Sequence, residues 1–510
     1  MGYRGAIATC VALALLALTS CVAGAAPSSL TYYVSVAANG NATVVMVFTS
    51  NVNGTFYTFV PRFELWNVTV WKGTVIGRKV ENTSAYFYYN ATFKYLVDAS
   101  GIFGMNISFT FPFASLYAGD RGWFMTPLLG APPDTVVTVV VTIEGLGRVL
   151  DVSLNGVPVP YNVEGDVLRI RSVSLSLGGS RVTVDYRPAN PVEETTMEFD
   201  ANGTLVKVRA APYYKGLART VAGVVGRAMP YFRGIFSYSP LSVDFKLFLP
   251  TRMDLRALGY VMGEDINAGG EGPIHLNLAL VRFKEGYLET TVIHELVHKA
   301  LGALGIPANS ELRWFHEGVA QYASVKICER LGIDVSDAKA SLEEAIRIFG
   351  GGLAKPGFVQ RWAPSGDEGS YYAASYYIVA TVAEGRGGLS YIKRLASEIR
   401  RRGGVRTNQD LIEAMSAAAG EDLAPQFREW GFQVYDVKIT TVPRLAVALA
   451  AVALAAAVGF SLLVILLWRR GGKRCPYCYG EVPRGAAYCP YCGYPLCTQD
   501  SKSLEDYSAS

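Results

Sequence analysis

The fold of the middle of this chain is decided by the stretch LETTVIHELVHKALGAL, residues 288–304. It contains no proline and its first glycine is Gly302, so it predicts an α-helix that ends at the Gly-Ile-Pro sequence of residues 305–307. His294 and His298 are four residues apart and share one face of that helix. Two imidazoles on one face can converge on a single metal ion.

The histidines of the chain are concentrated around that helix. All four histidines among the 510 residues fall within residues 275–316. A catalytic zinc ion usually has three protein ligands and one open position, so a third ligand should come from a neighbouring helix. Residues 311–331 predict such a helix, and Glu317 lies on it, separated from His298 by eighteen residues. Gly318 is expected to let the two helices approach each other closely.

The two motifs together carry a family resemblance. HELVH, followed after eighteen residues by EGVAQY, resembles the gluzincin metallopeptidases, particularly the aminopeptidase N-like and peptidase MA-like branches. The resemblance covers roughly residues 200–434. It implies that His294, His298 and Glu317 bind a catalytic zinc ion and that Glu295 is the general base. Such an ion lowers the pKa of its bound water to about 7 and polarises the scissile carbonyl.

A tyrosine is expected to complete this site, because a tetrahedral intermediate needs a further hydrogen-bond donor. Related enzymes place a tyrosine near the start of a helix, and Tyr372 in the sequence YAASY matches that pattern best. Tyr371 is the adjacent alternative. His316 could contact substrate instead, although an ordinary hydrogen bond from a helix-face histidine is the favoured interpretation.

The sequence departs from the family pattern at two places. Lys299 puts a charge directly after the second histidine, where zincins usually have an uncharged residue. The motif that holds the free amine of a substrate in aminopeptidase N is not recognisable, and Gly-Gly-Glu-Gly at residues 269–272 occupies the expected region. Aminopeptidase and endopeptidase activity therefore both stay open. An edge strand is predicted at residues 274–280, with which an extended peptide could pair.

The remainder of the large region divides into two predicted parts. Residues 28–190 contain short alternating apolar runs separated by Asn-Gly and Gly-rich turns, and they predict a β-sandwich region of one or two modules. Asn155-Gly156 is a hairpin signal. After a linker, residues 195–435 predict an α+β zincin-like metallopeptidase domain that is mainly helical in its C-terminal half. Its first elements are expected to be a strand at 203–209, a helix at 214–230 and a strand at 241–249.

Two apolar segments predict targeting and topology. Residues 1–26 have the charged, apolar and small-residue regions of a secretory signal peptide, although lipid attachment at Cys21 and an uncleaved anchor are alternatives. Residues 445–468 contain no charge and predict one transmembrane helix. Basic residues follow it at once, which places the C-terminal side in the cytoplasm. The predicted localisation is the cell membrane, single-pass, with the N-terminal domains extracytoplasmic.

Cysteines cluster near the C-terminus. Cys475-Pro-Tyr-Cys478 and Cys489-Pro-Tyr-Cys492 are separated by ten residues, and two such knuckles predict a structural zinc ion. Residues 473–497 accordingly resemble a zinc ribbon, which could recruit a cytoplasmic protein partner. Redox activity of the cysteine pairs is the alternative. Residues 498–510 are expected to be disordered.

Composition narrows the function. The net charge is only +4 and the bulk of the chain has no long basic run, so nucleic acid is an unsuitable main partner. We therefore predict a membrane-anchored extracytoplasmic zinc metallopeptidase that acts on peptides or proteins, with one catalytic and one structural zinc ion. The alternative is a catalytically inert cell-surface receptor or adhesion protein with a metallopeptidase-like domain.

Overall fold

The protein is a mixed α/β, multidomain molecule. Its structure, a computed structural model, describes the residue ranges 28–171, 173–250, 257–363, 368–438, 452–463, 473–483 and 485–496. The chain forms two compact units, Met1–Val437 and Lys438–Ser510. The predicted signal peptide and the predicted disordered tail lie outside the described residues.

The first part of the larger unit is built of strands. Their bounds are β1 (Ser28–Val36), β2 (Ala42–Ser50), β3 (Gly54–Pro61), β4 (Trp66–Lys72), β5 (Thr74–Asn82), β6 (Tyr88–Leu96), β7 (Phe103–Phe111), β8 (Ser115–Ala118), β9 (Arg121–Met125), β10 (Thr135–Ile143), β11 (Arg148–Leu154), β12 (Val157–Pro158), β13 (Asn162–Glu164), β14 (Val167–Ile170) and β15 (Val182–Arg187). Among the described residues they form three sheets, with the orders β13-β14-β10-β1-β2-β7-β4, β12-β11-β15-β9-β8 and β3-β6-β5.

These strands share one apolar core. Along β1 every second side chain is buried, as the period of a strand with one covered face requires. Tyr32 of the first sheet, Tyr186 of the second and Phe56 of the third belong to the same cluster of buried side chains. The predicted hairpin at Asn155-Gly156 is confirmed, because β11 and β12 pair antiparallel on either side of it. Both turn residues have the positive φ angles, 49° and 83°, that this turn demands.

A fourth sheet, with both parallel and antiparallel strand pairs, begins the part of the chain that carries the histidines. Its strands are β16 (Thr195–Asp200), β17 (Leu205–Ala210), β18 (Ser242–Phe248), β19 (Gly259–Val261) and β20 (Ile274–Asn277), in the order β16-β17-β18-β20-β19. The strands predicted at 203–209 and 241–249 are confirmed as β17 and β18. The edge strand predicted at 274–280 is wrong, because β20 lies between β18 and β19. The edge is β19.

Helices complete this part of the chain. Their bounds are α1 (Lys215–Phe236), α2 (Gly263–Asn267), α3 (Tyr287–Ala303), α4 (Arg313–Arg330), α5 (Ser336–Gly350), α6 (Glu368–Glu384), α7 (Leu389–Arg402), α8 (Asn408–Ala419) and α9 (Ala424–Glu429), with 3₁₀ turns at Pro212–Tyr214, Leu278–Arg282 and Pro356–Gln360. The helix predicted at 214–230 continues through Pro230 to Phe236. Its buried face extends over Phe232 and Phe236, so packing outweighs the hydrogen bond that the proline lacks.

The helices predicted from the two motifs are confirmed as α3 and α4. The α3 helix is apolar on nearly all sides, and Val292, Ile293, Leu296 and Val297 are fully buried. A helix of this composition belongs in the interior of a domain. Its first turn is capped by Glu289, whose Oε2 accepts the backbone N–H of Gly286 at 2.9 Å. The histidines are therefore carried by a helix that has little freedom to move.

Gly318 has a different partner from the predicted one. A Cβ atom on Gly318 would lie 2.4 Å from the carbonyl oxygen of Ser375 and 2.7 Å from Cγ2 of Val379. Both residues belong to α6, not to α3. The glycine thus permits close approach of α4 and α6, and α6 is the helix that carries Tyr372.

One partly buried arginine joins the strand-rich part to the part with the histidines. Arg282, at the end of the 3₁₀ turn after β20, donates from Nε to the carbonyl oxygen of Phe113 at 2.6 Å. Its guanidinium also lies 5.2 Å from the ring centre of Trp123 in β9. Burial lowers the pKa of Arg282 to about 9. The two parts consequently share a desolvated polar contact as well as apolar packing.

The transmembrane helix predicted at residues 445–468 is wrong. Across the described ranges, no helix combines the length and the apolar character needed to cross a bilayer. Residues 452–463 are helical, and at 1.5 Å per residue they reach about 18 Å, against a hydrocarbon core about 30 Å thick. The other residues of the predicted span lie outside the described ones. The single-pass membrane localisation was predicted from this helix, so that prediction is wrong as well.

Substitution Gly318→Ala should destabilise the protein by about 1–3 kcal/mol, because the added methyl group meets the backbone of α6. Gly223→Ala is the matched control. Gly223 is an exposed residue inside α1 with open space around its Cβ position, and alanine there should stabilise the helix by about 0.5–1 kcal/mol. Thermal unfolding of the two variants checks this pair. A Gly318→Ala protein that unfolds no earlier than the unsubstituted one would contradict the helix contact.

Candidate metal centre

Three side chains converge where α3 and α4 meet. Nε2 of His294 lies 3.1 Å from Nε2 of His298 and 3.3 Å from Oε2 of Glu317. The remaining separation, from Nε2 of His298 to Oε2 of Glu317, is 3.5 Å. The spacing of four residues on α3 brings the imidazoles together, and the first turns of α4 bring in the carboxylate. The structure therefore places all three predicted ligands around one point.

These separations match the requirements of zinc. A tetrahedral zinc ion with bonds of about 2.0–2.1 Å to nitrogen and oxygen holds its ligand atoms about 3.3–3.4 Å apart. The three measured separations lie on both sides of that value. Two imidazoles and one carboxylate also form a known donor set for catalytic zinc, which leaves the fourth position open. The residues present fit the ion.

The carboxyl group of Glu317 and the imidazole of His298 shift each other's pKa values. Glu317 and His298 are both buried. Burial acts to raise the pKa of Glu317, but the attraction and hydrogen bonding of His298 and His294 outweigh it and hold that pKa well below its ordinary value. Burial likewise acts to lower the pKa of His298, and the carboxylate of Glu317 turns the net shift upward. The carboxylate is therefore ionised and able to bind a cation.

Glu295 occupies a different environment although it neighbours His294. Its side chain is buried, and Oε2 has no hydrogen-bond partner among the described residues. Burial raises the pKa of this carboxyl group. The edge strand β19 passes close above it, since a Cβ atom on Gly259 would lie 3.1 Å from Oε1 of Glu295. Glycine at this position permits that approach.

His316 is buried behind the three predicted ligands. Its Nε2 lies 3.1 Å from the carbonyl oxygen of Ile306, to which the ring N–H donates. The ring stacks against His298 with centroids 5.7 Å apart. Burial lowers the pKa of His316 to about 3, so its imidazole is neutral. The side chain has the ordinary backbone hydrogen bond that was favoured for it, and it also forms part of the wall of the cleft described next.

A cleft of about 500 Å³ opens over these groups. His294, Glu295 and Glu317 line it together with the edge strand β19. Tyr372 of α6 lines it too, whereas Tyr371 packs its ring against Trp362 and Phe358.

The adjacent tyrosines therefore have different surroundings. Burial raises the pKa of Tyr372, so its hydroxyl stays protonated and can donate a hydrogen bond. The structure brings Tyr372 to the cleft with Glu295, as the sequence pattern suggested, and turns its neighbour Tyr371 toward an aromatic cluster.

Lys299 contacts the Gly-Gly-Glu-Gly turn and is not among the residues that line the cleft. Its Nζ donates to the carbonyl oxygen of Gly272, and burial lowers its pKa. The Gly-Gly-Glu-Gly turn packs on α3, since a Cβ atom on Gly270 would lie 2.1 Å from the carbonyl oxygen of Lys299. The unusual charge after the second histidine thus anchors this turn, and the turn is absent from the lining of the cleft.

Some residues that line the cleft were not anticipated from the sequence. Arg313 lies one turn before Glu317 on α4, and Trp362 packs beneath it with the ring centre 4.5 Å from the guanidinium carbon. The spacing of four residues between Arg313 and Glu317 was a usable signal, because such residues share a helix face. Trp362 and Gly259 are brought in by tertiary packing alone.

The second predicted metal cluster lies in the smaller unit. Short strands β21 (Lys473–Arg474) and β22 (Glu481–Val482) pair beside it. Sγ of Cys475 lies 3.7 Å from that of Cys492, and Sγ of Cys478 lies 3.6 Å from that of Cys489. Zinc–sulfur bonds of about 2.3 Å would separate tetrahedral ligands by about 3.8 Å. Four thiolates at this spacing fit one zinc ion with a closed coordination shell, and Cys497 lies outside the described residues.

Comparison with known proteins gives little beyond this geometry. No protein-family model and no curated protein matches the chain. Among solved structures, the chain is similar to aminopeptidase A from Legionella pneumophila, crystallised in complex with aspartic acid. Sequence identity is 11% and the TM-score is 0.33, over 80% of this chain and 49% of the other, so this chain spans about half the length of that protein. A likeness at this level carries no information about function.

The purified protein should contain about two zinc ions per chain, one for each donor cluster. His298→Ala should remove one of them and Cys478→Ser the other, because each change deletes a ligand from a different cluster. His275→Ala is the control, since His275 stacks on Tyr260 and belongs to neither cluster. Elemental analysis after gel filtration measures the content. A zinc content in the His298→Ala protein equal to that of the unsubstituted protein would refute the histidine site.

Proposed function

We propose that the protein is a zinc metallopeptidase that hydrolyses peptide bonds with Glu295 as the general base. The observation that carries this proposal is the convergence of His294, His298 and Glu317 within 3.1–3.5 Å beside the buried carboxyl of Glu295. A zinc ion held by the three ligands would supply a water with a pKa of about 7 and polarise the scissile carbonyl.

Glu295 is suited to move the proton. Its Oε2 has no hydrogen-bond partner among the described residues, and burial raises its proton affinity. A carboxylate in this state accepts a proton from the attacking water more readily than an exposed glutamate does. The same group can then deliver that proton to the amine nitrogen as it leaves, because Glu295 lines the cleft in which the peptide would lie.

Tyr372 is suited to stabilise charge on the substrate. As the carbonyl carbon becomes tetrahedral, its oxygen gains negative charge that a fixed donor can stabilise. The hydroxyl of Tyr372 stays protonated and lines the same cleft as Glu295. The close contact of α6 with Gly318 holds the helix that carries it.

The edge strand β19 offers a means of holding an extended peptide. Gly259 and Val261 line the cleft, and β19 has its one strand partner, within the described part of the chain, in β20. Main-chain groups on the open side of an edge strand can pair with an added strand. This role was predicted for residues 274–280, and the sheet order transfers it to β19.

The lining of the cleft favours cleavage of a peptide at a bond away from its N-terminus over removal of its N-terminal residue. An aminopeptidase needs a carboxylate to receive the free amine of its substrate. Among the described residues that line the cleft, the acidic side chains are Glu295 and Glu317, which the proposal assigns to catalysis and metal binding. An inert binding protein would have no need of a buried base beside a complete ligand set, so the enzyme is the better interpretation.

Substitution Glu295→Gln should lower peptide turnover by about 10²–10⁴-fold, because the amide cannot accept the water proton. Zinc content should stay unchanged, since Glu295 is not a ligand. Glu285→Gln, an exposed change just before α3, is the control and should behave like the unsubstituted protein. Mass spectrometry of a digested peptide library measures turnover. Full activity in Glu295→Gln would disprove the role of the base, and no cleavage by the zinc-loaded protein would disprove the peptidase.

Substitution Tyr372→Phe should lower kcat by about 10²–10³-fold with a small change in KM, as expected when a donor acts mainly in the transition state. Tyr371→Phe is the matched control, because Tyr371 packs its ring on Trp362 and is not itself one of the residues that line the cleft. Steady-state kinetics on one cleaved peptide separates the two variants. Equal kcat values for both would exclude Tyr372 as the donor.

A further inference from the structure

The cleft contains one arginine to which the proposed reaction assigns no role. Arg313 is the first residue of α4 and lines the cleft. It lies on the same helix face as Glu317, four residues earlier. Among the described residues of the cleft wall it is the one lysine or arginine. A charged group in this position must affect which peptides can bind.

Contacts hold Arg313 in position, but they do not use all the hydrogen-bond donors of its guanidinium group. The guanidinium lies on the ring of buried Trp362, 4.5 Å from its centre, and interacts with the hydroxyl of Tyr372. Its nearest carboxylate atoms are 3.8 Å away on Glu317 and 3.9 Å away on Glu368. Charge-assisted hydrogen bonds are about 2.7–2.9 Å long. Neither carboxylate therefore forms the paired, bidentate arrangement that an arginine side chain can make.

The side chain is open enough to receive a ligand. About 39% of the Arg313 side chain is exposed, and Glu368 is half exposed. An exposed ion pair at 3.9 Å contributes little, so a substrate group can replace it. A guanidinium offers five N–H donors in a planar fork that matches a carboxylate.

The charge balance of the cleft favours an anionic group. The acidic side chains in the described lining are Glu295 and Glu317, and a bound divalent ion would offset both. Among the described side chains of the lining, Arg313 then carries the one charge that no other lining residue offsets, and Glu368, 3.9 Å away, is not among those lining residues. A substrate amine or basic side chain would be repelled there, whereas a carboxylate would be attracted.

We propose that Arg313 selects peptides that present a carboxylate beside the scissile bond. This inference rests on the proposed peptidase function and names its substrate class. The carboxylate has two sources, an acidic side chain of the peptide or its free C-terminus, and both have the same chemistry. The Trp362 ring holds the guanidinium in place, and the loose contact to Glu368 is exchanged for the substrate.

The test uses four peptides of otherwise identical sequence. They carry glutamate or glutamine beside a bond that the protein cleaves, each with a C-terminal acid or a C-terminal amide. The zinc-loaded protein should prefer a carboxylate over its matched amide by about tenfold to hundredfold in kcat/KM, the range for a hydrogen-bonded charge. The glutamate–glutamine pair reports a side-chain carboxylate, and the acid–amide pair reports the C-terminus.

Three variants assign the preference. Arg313→Gln should reduce the acid-to-amide ratio to about one, since it removes the charge. Arg313→Lys should keep part of the ratio through its charge. Arg330→Gln is the same chemical change at the exposed far end of α4 and should keep the full ratio. A general loss of activity in Arg313→Gln with the ratio preserved would overturn the proposal, because it would show a structural role.

Binding separates this inference from the peptidase itself. The dissociation constants of the four fluorescently labelled peptides are measured with the zinc-loaded Glu295→Gln protein, which does not depend on turnover. A carboxylate preference in binding supports the role of Arg313 even where no peptide is cleaved, an outcome that contradicts only the proposed function. Equal affinity for acid and amide on both pairs of peptides overturns the inference, whether or not cleavage occurs.

Discussion

The buried carboxylate of Glu317 between two imidazoles is the constraint on which the centre of this structure depends. A carboxylate removed from water is unstable unless charges or hydrogen bonds compensate it. Here the compensation comes from His294 and His298, with donor atoms 3.3 and 3.5 Å from Oε2. Those residues are held by a helix that is buried on nearly all sides. A cation at this point would be bound by all three groups together. The positive charge that would stabilise the buried carboxylate is therefore the same charge that the proposed reaction would use.

Packing around this point then decides which neighbours take part. The glycine at 318 lets α6 approach α4, and this contact brings Tyr372 to the cleft. The glycine at 259 lets β19 pass close over Glu295. In each case a missing side chain allows a backbone to come within reach of a functional group, which a methyl group would prevent. Glu295 and Tyr372, the proposed base and donor, are consequently positioned by regular elements of a packed domain, an arrangement that holds side chains more precisely than loops do.

The sequence pattern predicted those features that depend on neighbouring residues alone, such as helices and the spacing of side chains along them. The spacing of His294 and His298 follows from helical geometry alone, and α3 and α4 lie where the apolar pattern indicated them. Adjacent residues on a helix differ in direction by about 100°, so only the packing of α6 could separate Tyr372 from Tyr371. The edge strand was misplaced because β19 is three residues long and pairs non-locally with β20. At residues 445–468, apolar composition predicted a span that no described helix provides.

The two candidate metal clusters among the described residues differ in the number of ligands that they offer, four in one and three in the other. Four cysteine sulfurs, with pairs 3.6 and 3.7 Å apart, would fill the tetrahedral shell of a zinc ion and leave no place for a substrate or a reactive water. Two histidines and a glutamate would leave one position of a bound zinc ion open, and the cleft over them is also lined by the buried carboxyl group of Glu295. The first arrangement can only stabilise a fold that is too small for a large apolar core. The second would leave a coordination position for water, which is why the proposed reaction is assigned to the cluster with fewer ligands.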